Sequence, residues 1–266
     1  MPGAAEREAM FIQERMDQIL KLIKERGRLS IKECCDLLNV SIDTVRRDFK
    51  RLSEAGLVLR THGGAMLKEN VGFDPSLNQK GILHHEEKEA IAKRAAQTVQ
   101  DGETVIIDAG TTALRIVKYL SGRKDLTILT DGLNIAMEAT RRGLSTILVG
   151  GIVRNSTLCI TGPDAVEMIR HYHADKLFLG VSAVSIAKGL MTPNRMEAEI
   201  KRALMDIADR VILVIDHSKA EKTSLYSFGP VQDIDMLITD EAADKTFIEE
   251  LTGLNKEVIL VKSEGE

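Results

Sequence analysis

The chain has 266 residues, 44% hydrophobic and 29% charged, with a net charge of −4, three cysteines and no tryptophan. That length and balance fit two globular domains and exclude global disorder. No apolar run nears the roughly 18–20 residues that span a bilayer, and residues 1–9 carry Glu6 and Glu8 where a secretory signal needs an apolar stretch. A cytoplasmic protein without membrane association is expected.

The charge is unevenly spread. The first 68 residues hold more basic than acidic side chains, and the remainder holds the reverse. A mildly basic head on an acidic body suits local contact with nucleic acid and little adhesion elsewhere. Cys34 and Cys35 are adjacent and Cys159 stands alone, which gives neither a disulfide framework nor metal-ligand spacing. All three read as small fillers. His84-His85 and His171-Tyr172-His173 lack an accompanying carboxylate or cysteine pattern, so no metal and no cofactor is expected.

Apolar residues recur at helical spacing over Glu14–Arg26, and Gly27 ends that helix. Ser30 caps Ile31–Leu38, with Glu33 at the capping-box position. After a turn at Asn39-Val40, Ser41 caps a third helix over Ile42–Ala55, stopped by Gly56. Leu57–Arg60 has strand character, and Gly63-Gly64 turns the chain into Ala65-Met66-Leu67. Three short helices and a hairpin are the layout of a winged helix-turn-helix, here over 10–67. In the third helix Ile42, Val45, Phe49 and Leu52 share an inward face. Thr44, Arg46, Arg47, Lys50 and Arg51 fill the rest, as a helix entering the major groove requires. The alternative is a solvated helix in which Asp43 pairs Arg46 or Arg47 and Asp48 pairs Arg51. Arg60 and His62 belong to the wing.

A charged stretch with Asp74-Pro75 begins a linker over 68–82, and a second domain follows over 83–262. Helices are predicted at Glu86–Val99, Thr111–Leu120, Leu133–Arg142, from Pro163 onward and at Arg195–Asp209. Strands are predicted at Thr104–Asp108, Leu126–Thr130, Ser145–Gly150, Lys176–Val181, Val211–Asp216, Asp235–Thr239 and Val258–Val261. Alternating apolar strands and amphipathic helices indicate a mostly parallel, Rossmann-like α/β sheet covered on both faces. Ligands of such folds bind at the carboxyl ends of the strands. Those ends carry Asp108-Ala109-Gly110-Thr111-Thr112, Thr130-Asp131-Gly132, Gly150-Gly151 with Arg154 beyond, and Asp216-His217-Ser218-Lys219. Glycine lets backbone approach an anion, threonine hydroxyls and helix N–H groups donate, and Arg154 and Lys219 supply counter-charge. A threonine-capped helix without ligand remains the alternative at Thr111. Glu197 and Lys201, spaced i,i+4, read either as site residues or as a surface ion pair.

Ser41-Ile42-Asp43-Thr44-Val45-Arg46-Arg47-Asp48-Phe49, continued by Arg60-Thr61-His62-Gly63-Gly64-Ala65, resembles the signature of DeoR-type transcriptional repressors. The resemblance runs from about Met10 through the second domain, on Asp108-x-Gly110-Thr111-Thr112, Gly150-Gly151, Thr161-Gly162, Thr192-Pro193-Asn194 with Glu197, and Asp216-x-Ser218-Lys219. It implies that Ser41, Thr44, Arg46 and Arg47 face double-stranded operator DNA. It also implies a sensor domain related in fold to ribose-5-phosphate isomerase, with a phosphorylated sugar or polyol as effector and the Gly-Thr-Thr loop and Lys219 near phosphate. Asp131 stands where many members have Asn, and Val181-Ser182-Ala183 replaces an expected Asp-Gly; both bear on the sugar-reading side. The resulting expectation is a non-enzymatic repressor of carbohydrate-metabolism genes, released by its effector and working as a dimer or tetramer. The alternatives are a sugar-phosphate isomerase or deaminase with a DNA-binding appendage, and an activator with the same sensor.

Overall fold

A computed structural model describes residues 4–26, 28–61, 63–67 and 77–262. The chain divides into two compact units, Met1–His84 and His85–Glu266.

In the first unit α1 (Ala4–Arg26), α2 (Ile31–Leu38) and α3 (Ile42–Glu54) surround a small core of Met16, Ile19, Ile23, Leu29, Val45, Phe49 and Leu52. Strand β1 (Arg28–Ser30) pairs antiparallel with β3 (Gly64–Leu67), which pairs with β2 (Val58–Thr61) to close the wing. The first of these strands was not expected from sequence. Gly64 is required there, because a Cβ would lie 2.2 Å from the Leu29 carbonyl oxygen. The predicted capping box at Ser30 and Glu33 is present, with Ser30 N donating to Glu33 Oε2 at 2.9 Å. Gly27, His62 and 68–76 of the predicted linker lie outside the described residues. The remainder of that linker forms helix α4 (Leu77–Ile82).

The second unit is built on a seven-stranded sheet, parallel throughout. Its strands are β4 (Thr104–Ile107), β5 (Thr127–Thr130), β6 (Ser145–Leu148), β9 (Lys176–Leu179), β12 (Val211–Val214), β14 (Met236–Asp240) and β15 (Glu257–Val261), in the order β15-β14-β12-β9-β4-β5-β6. Alternate side chains enter two cores, as pleating requires. Ile106, Leu129, Leu177 and Leu213 pack with α8 (Pro163–Ile169), α9 (Arg195–Asp206) and α10 (Lys245–Gly253) on one face. Val105, Ile107, Ile128, Phe178 and Ile212 pack with α5 (His85–Ala96), α6 (Thr111–Ile116) and α7 (Leu133–Arg141) on the other. Two antiparallel additions complete the unit: a hairpin of β7 (Ile152–Arg154) and β8 (Cys159–Thr161), and a small sheet of β10 (Ala183–Ser185), β11 (Gly189–Thr192) and β13 (Tyr226–Gly229). No described helix is long and apolar enough to cross a membrane.

Candidate functional site

Helix α3 starts at Ser41, whose hydroxyl accepts the Thr44 N–H at 3.2 Å and lies 2.9 Å from the Thr44 hydroxyl. Val45, Phe49 and Leu52 are buried, whereas Arg46, Arg47 and Lys50 are exposed. One expectation for this helix fails, and so does part of the solvated-helix alternative. Ile42 is 53% exposed rather than inward, because it stands one turn before Val45, beyond the end of the core stripe. Asp48 is 1% exposed and pairs not with Arg51 but with Arg15 of α1, whose Nε lies 2.5 Å from Asp48 Oδ2. That ion pair ties α3 to α1 beneath the basic face. On the surface, Arg46 lies 3.7 Å from Asp43, and Arg47 Nε donates to the Asp43 carbonyl oxygen at 3.3 Å. Pairs this exposed are screened and easily exchanged for other anions. Arg60 is exposed on β2.

In the second unit the strand ends carry a buried polar framework. Asp108, directly after β4, accepts at Oδ2 the Gly180 N–H at 2.8 Å and Lys201 Nζ at 2.5 Å. Lys201 also donates to the Gly180 carbonyl oxygen at 3.0 Å, so β4, β9 and α9 meet on one ammonium. Asp131, after β5, accepts the Ala109 N–H at 2.9 Å and the Cys159 thiol at 3.0 Å. Thr130 donates to the Ile107 carbonyl oxygen at 2.6 Å and accepts the Gly132 N–H at 3.0 Å. Burial pushes the Asp108 carboxyl up to about 7, with Asp131 adding to the rise and Lys201 opposing it. Asp131 shifts upward for the same first reason. Burial alone would lower Lys201, but Asp108 and Asp131 outweigh it and hold the ammonium charged.

A second group joins this one through α9. Glu197 accepts the hydroxyls of Thr157 at 2.7 Å and Thr192 at 3.1 Å, and lies 3.1 Å from Arg154 Nε. The surface-pair alternative for Glu197 and Lys201 is therefore overturned. The residues are 5% and 7% exposed, and each is bound to other elements of the body.

Gly110 precedes α6 with no side chain capping the helix, and Thr111 and Thr112 are largely buried in its first turn. Gly151 has φ +150°, and a Cβ there would meet the Thr161 carbonyl oxygen at 2.7 Å. Gly150 donates its N–H to Met168 Sδ at 3.1 Å. Lys219 ends the short 3-10 turn after β12, and β9 separates β12 from β4. The strand ends thus bring Asp108, Thr130, Asp131, Glu197, Lys201 and Arg154 into two linked networks, while Lys219 stands two strands from the Gly110 loop. Sequence reasoning missed Thr157 and Gly180, and took Cys159 for a filler. Its thiol, pushed upward by burial, is a buried donor to Asp131. Nothing in a three-residue strand without periodicity signals that role.

A helix-turn-helix head with a basic third helix and an α/β body with polar strand ends define a DNA-binding regulator with a ligand-sensing domain. Family models agree. Residues 15–71 match the DeoR-like helix-turn-helix domain, and residues 83–241 match the DeoR C terminal sensor domain. The chain is 37% identical to the transcriptional repressor AccR of Agrobacterium fabrum, over 89% of this chain and 92% of that one. It is 33% identical to the repressor GlcR of Bacillus subtilis over 96% and 98%. It is 34% identical to the regulator GlpR of Haloferax volcanii over 94% and 98%. Among solved structures, ribose 5-phosphate isomerase from Plasmodium falciparum is similar at 14% identity and a TM-score of 0.38, covering 50% of this chain and 52% of that one. The chain belongs to the DeoR family of transcriptional regulators.

Proposed function

We propose that this chain represses genes of carbohydrate metabolism by binding operator DNA, and leaves it when a phosphorylated sugar or polyol occupies the second unit. The observation that carries the DNA half is the exposure of Arg46, Arg47 and Lys50 around a helix whose other face is buried. Ser41 and Thr44 order the helix start, Arg60, exposed on the wing strand, contacts phosphate, and exposed Ile42 offers methyl groups to thymine. The relatives' names, repressors and regulators throughout, support the same reading.

For the effector, the proposed roles divide by how the side chains are engaged. Asp108, Thr130, Asp131, Glu197 and Lys201 act as framework, because each already bonds a backbone group or another side chain of the body; Asp108 does so through Oδ2, while its Oδ1 is buried with no hydrogen-bond partner among the described residues. Gly110, Thr111 and Thr112 present the N–H groups at the start of α6 to the phosphate, Gly150, Gly151 and Arg154 belong to the same strand-end rim, and Lys219, two strands away, adds positive charge. The same engagement argues against turnover. Of the carboxylates that could serve as an enediol base, Asp131 and Glu197 have both oxygens in framework bonds, and Asp108 is held by Lys201 and Gly180 through Oδ2. We place the protein in the cytoplasm as a homo-oligomer whose heads occupy repeated half-sites.

The test is fluorescence anisotropy on promoter fragments from the protein's own chromosomal neighbourhood. Arg46→Ala and Arg47→Ala should each weaken binding by about 1–3 kcal/mol where the arginine reads a guanine. Unchanged affinity in both variants overturns the assignment of α3.

A further inference from the structure

Helix α5 is the first element of the second unit, so the chain arriving from the head enters there. A strand-end residue and the α6 segment grip its first turns. Lys88, 2% exposed, lies 3.7 Å from the equally buried Asp216 at the end of β12. One residue later, Glu89 Oε1 accepts Tyr119 Oη at 2.6 Å and Lys118 Nζ at 3.1 Å. Its Oε2 lies 3.3 Å from Arg115 Nε. Arg115 is buried in turn, and its Nη1 donates to the carbonyl oxygen of Thr111 at 2.6 Å.

One guanidinium therefore hydrogen-bonds the Thr111 carbonyl in the first turn of its own helix, α6, and lies within ion-pair distance of the Glu89 carboxylate of α5. An apolar side chain would fill this place between α5 and α6 without the desolvation that a buried cation costs, so stability alone does not account for an arginine. The planar fork has fixed donor directions, and displacing the Thr111 peptide reorients it against Glu89. We propose that Arg115 and Glu89 are positioning residues that report occupancy of the Gly110–Thr112 loop to α5, and through it to the chain leading back to the head. This rests on the effector reading above and adds the route by which it acts. An anion on the N–H groups that open α6 shifts the Thr111 peptide, Arg115 follows its acceptor, and Glu89 carries the change to the start of α5.

The test uses the full chain, a promoter fragment that it binds, and three probes: glycerol 3-phosphate, glucose 6-phosphate and ribose 5-phosphate. Calorimetry gives each probe's affinity for free protein, and anisotropy gives DNA affinity with and without saturating probe. Arg115→Lys keeps a donor for Thr111 without the fork, and Glu89→Gln keeps an acceptor for Tyr119 without the charge. Both variants should bind DNA and the probe within about 3-fold of the parent. The probe-induced loss of DNA affinity, in the range of about 5–150-fold for ordinary allosteric coupling, should shrink at least about 5-fold. The double variant should shrink it no further than either single one, since both break the same bridge. Glu89→Gln, at the partly exposed end, carries the test if Arg115→Lys fails to fold. Full release in the variants overturns the relay and leaves the effector reading standing. Loss of probe binding in step with loss of release overturns it too, by making Arg115 part of the binding site. A parent chain that holds its DNA against all three probes removes the effector reading first, and the relay with it.

Discussion

His217 and Asp240 form a bond whose strength is set by pH. His217 Nδ1 lies 2.8 Å from Asp240 Oδ1, and the His217 N–H donates to Asp240 Oδ2 at 2.8 Å. The bond to Asp240 raises the imidazole above its ordinary value, against the opposing effect of burial, and Asp216 adds to the rise. Burial would raise Asp240, but the donors from His217 outweigh it and hold the carboxyl low. A histidine raised in the folded state contributes stability that is complete below its unfolded pKa of about 6.5 and is lost as pH climbs through the folded value. The low Asp240 carboxyl contributes above its unfolded value, and that part is lost only as pH falls through the folded one. The pair is therefore worth most between roughly pH 5 and 6.5. His217→Gln should cost about 1.5 kcal/mol at pH 6, on the scale of hydrogen bonds to charged groups, and distinctly less at pH 9. Urea unfolding at the two pH values measures the difference; a cost independent of pH contradicts the assignment.

Among the elements, legibility followed the continuity of the apolar run. The strands of the parallel sheet are continuous runs such as Val211-Ile212-Leu213-Val214, buried on both faces, and their sequence positions are close to those observed. Strands β1, β7, β8, β10, β11 and β13 mix polar or glycine residues with apolar ones and have short antiparallel partners, so no continuous apolar run marks them. The candidate site was legible where a strand end meets a helix, as at Asp108–Thr112. It was not legible where pairing is long-range. Lys201 stands 93 residues from Asp108, and nothing local to α9 distinguishes that pair from a surface contact with Glu197. Asp48 is similar, since its partner Arg15 lies 33 residues away on another helix. The wing supplies a test at this scale. Gly64→Ala drives a Cβ into the Leu29 carbonyl and the Ser30 Cα, 2.2 and 2.8 Å away, and these are backbone atoms that cannot step aside. The β1–β3 pairing should weaken by about 1–3 kcal/mol, the usual cost of an overpacked position. Exchange of the Leu29 and Ala65 amides should accelerate, and protection at parental levels would show that the strands do not meet as described.

At the scale of the whole molecule, repression and relief require the two units to share one equilibrium. A ligand shifts that equilibrium only by the difference between its affinities for the two states. On the proposed reading, operator DNA and the effector oppose one another by the same factor in both directions, typically about 1–3 kcal/mol. The acidic balance of the second unit keeps non-specific adhesion low, so this coupling acts on a specific complex. The most direct measurement is the affinity of the releasing sugar phosphate for the free protein and for the protein saturated with its operator. The account predicts weaker binding to the DNA complex, by the same factor with which that compound weakens DNA binding. Equal affinity for the two forms would contradict it.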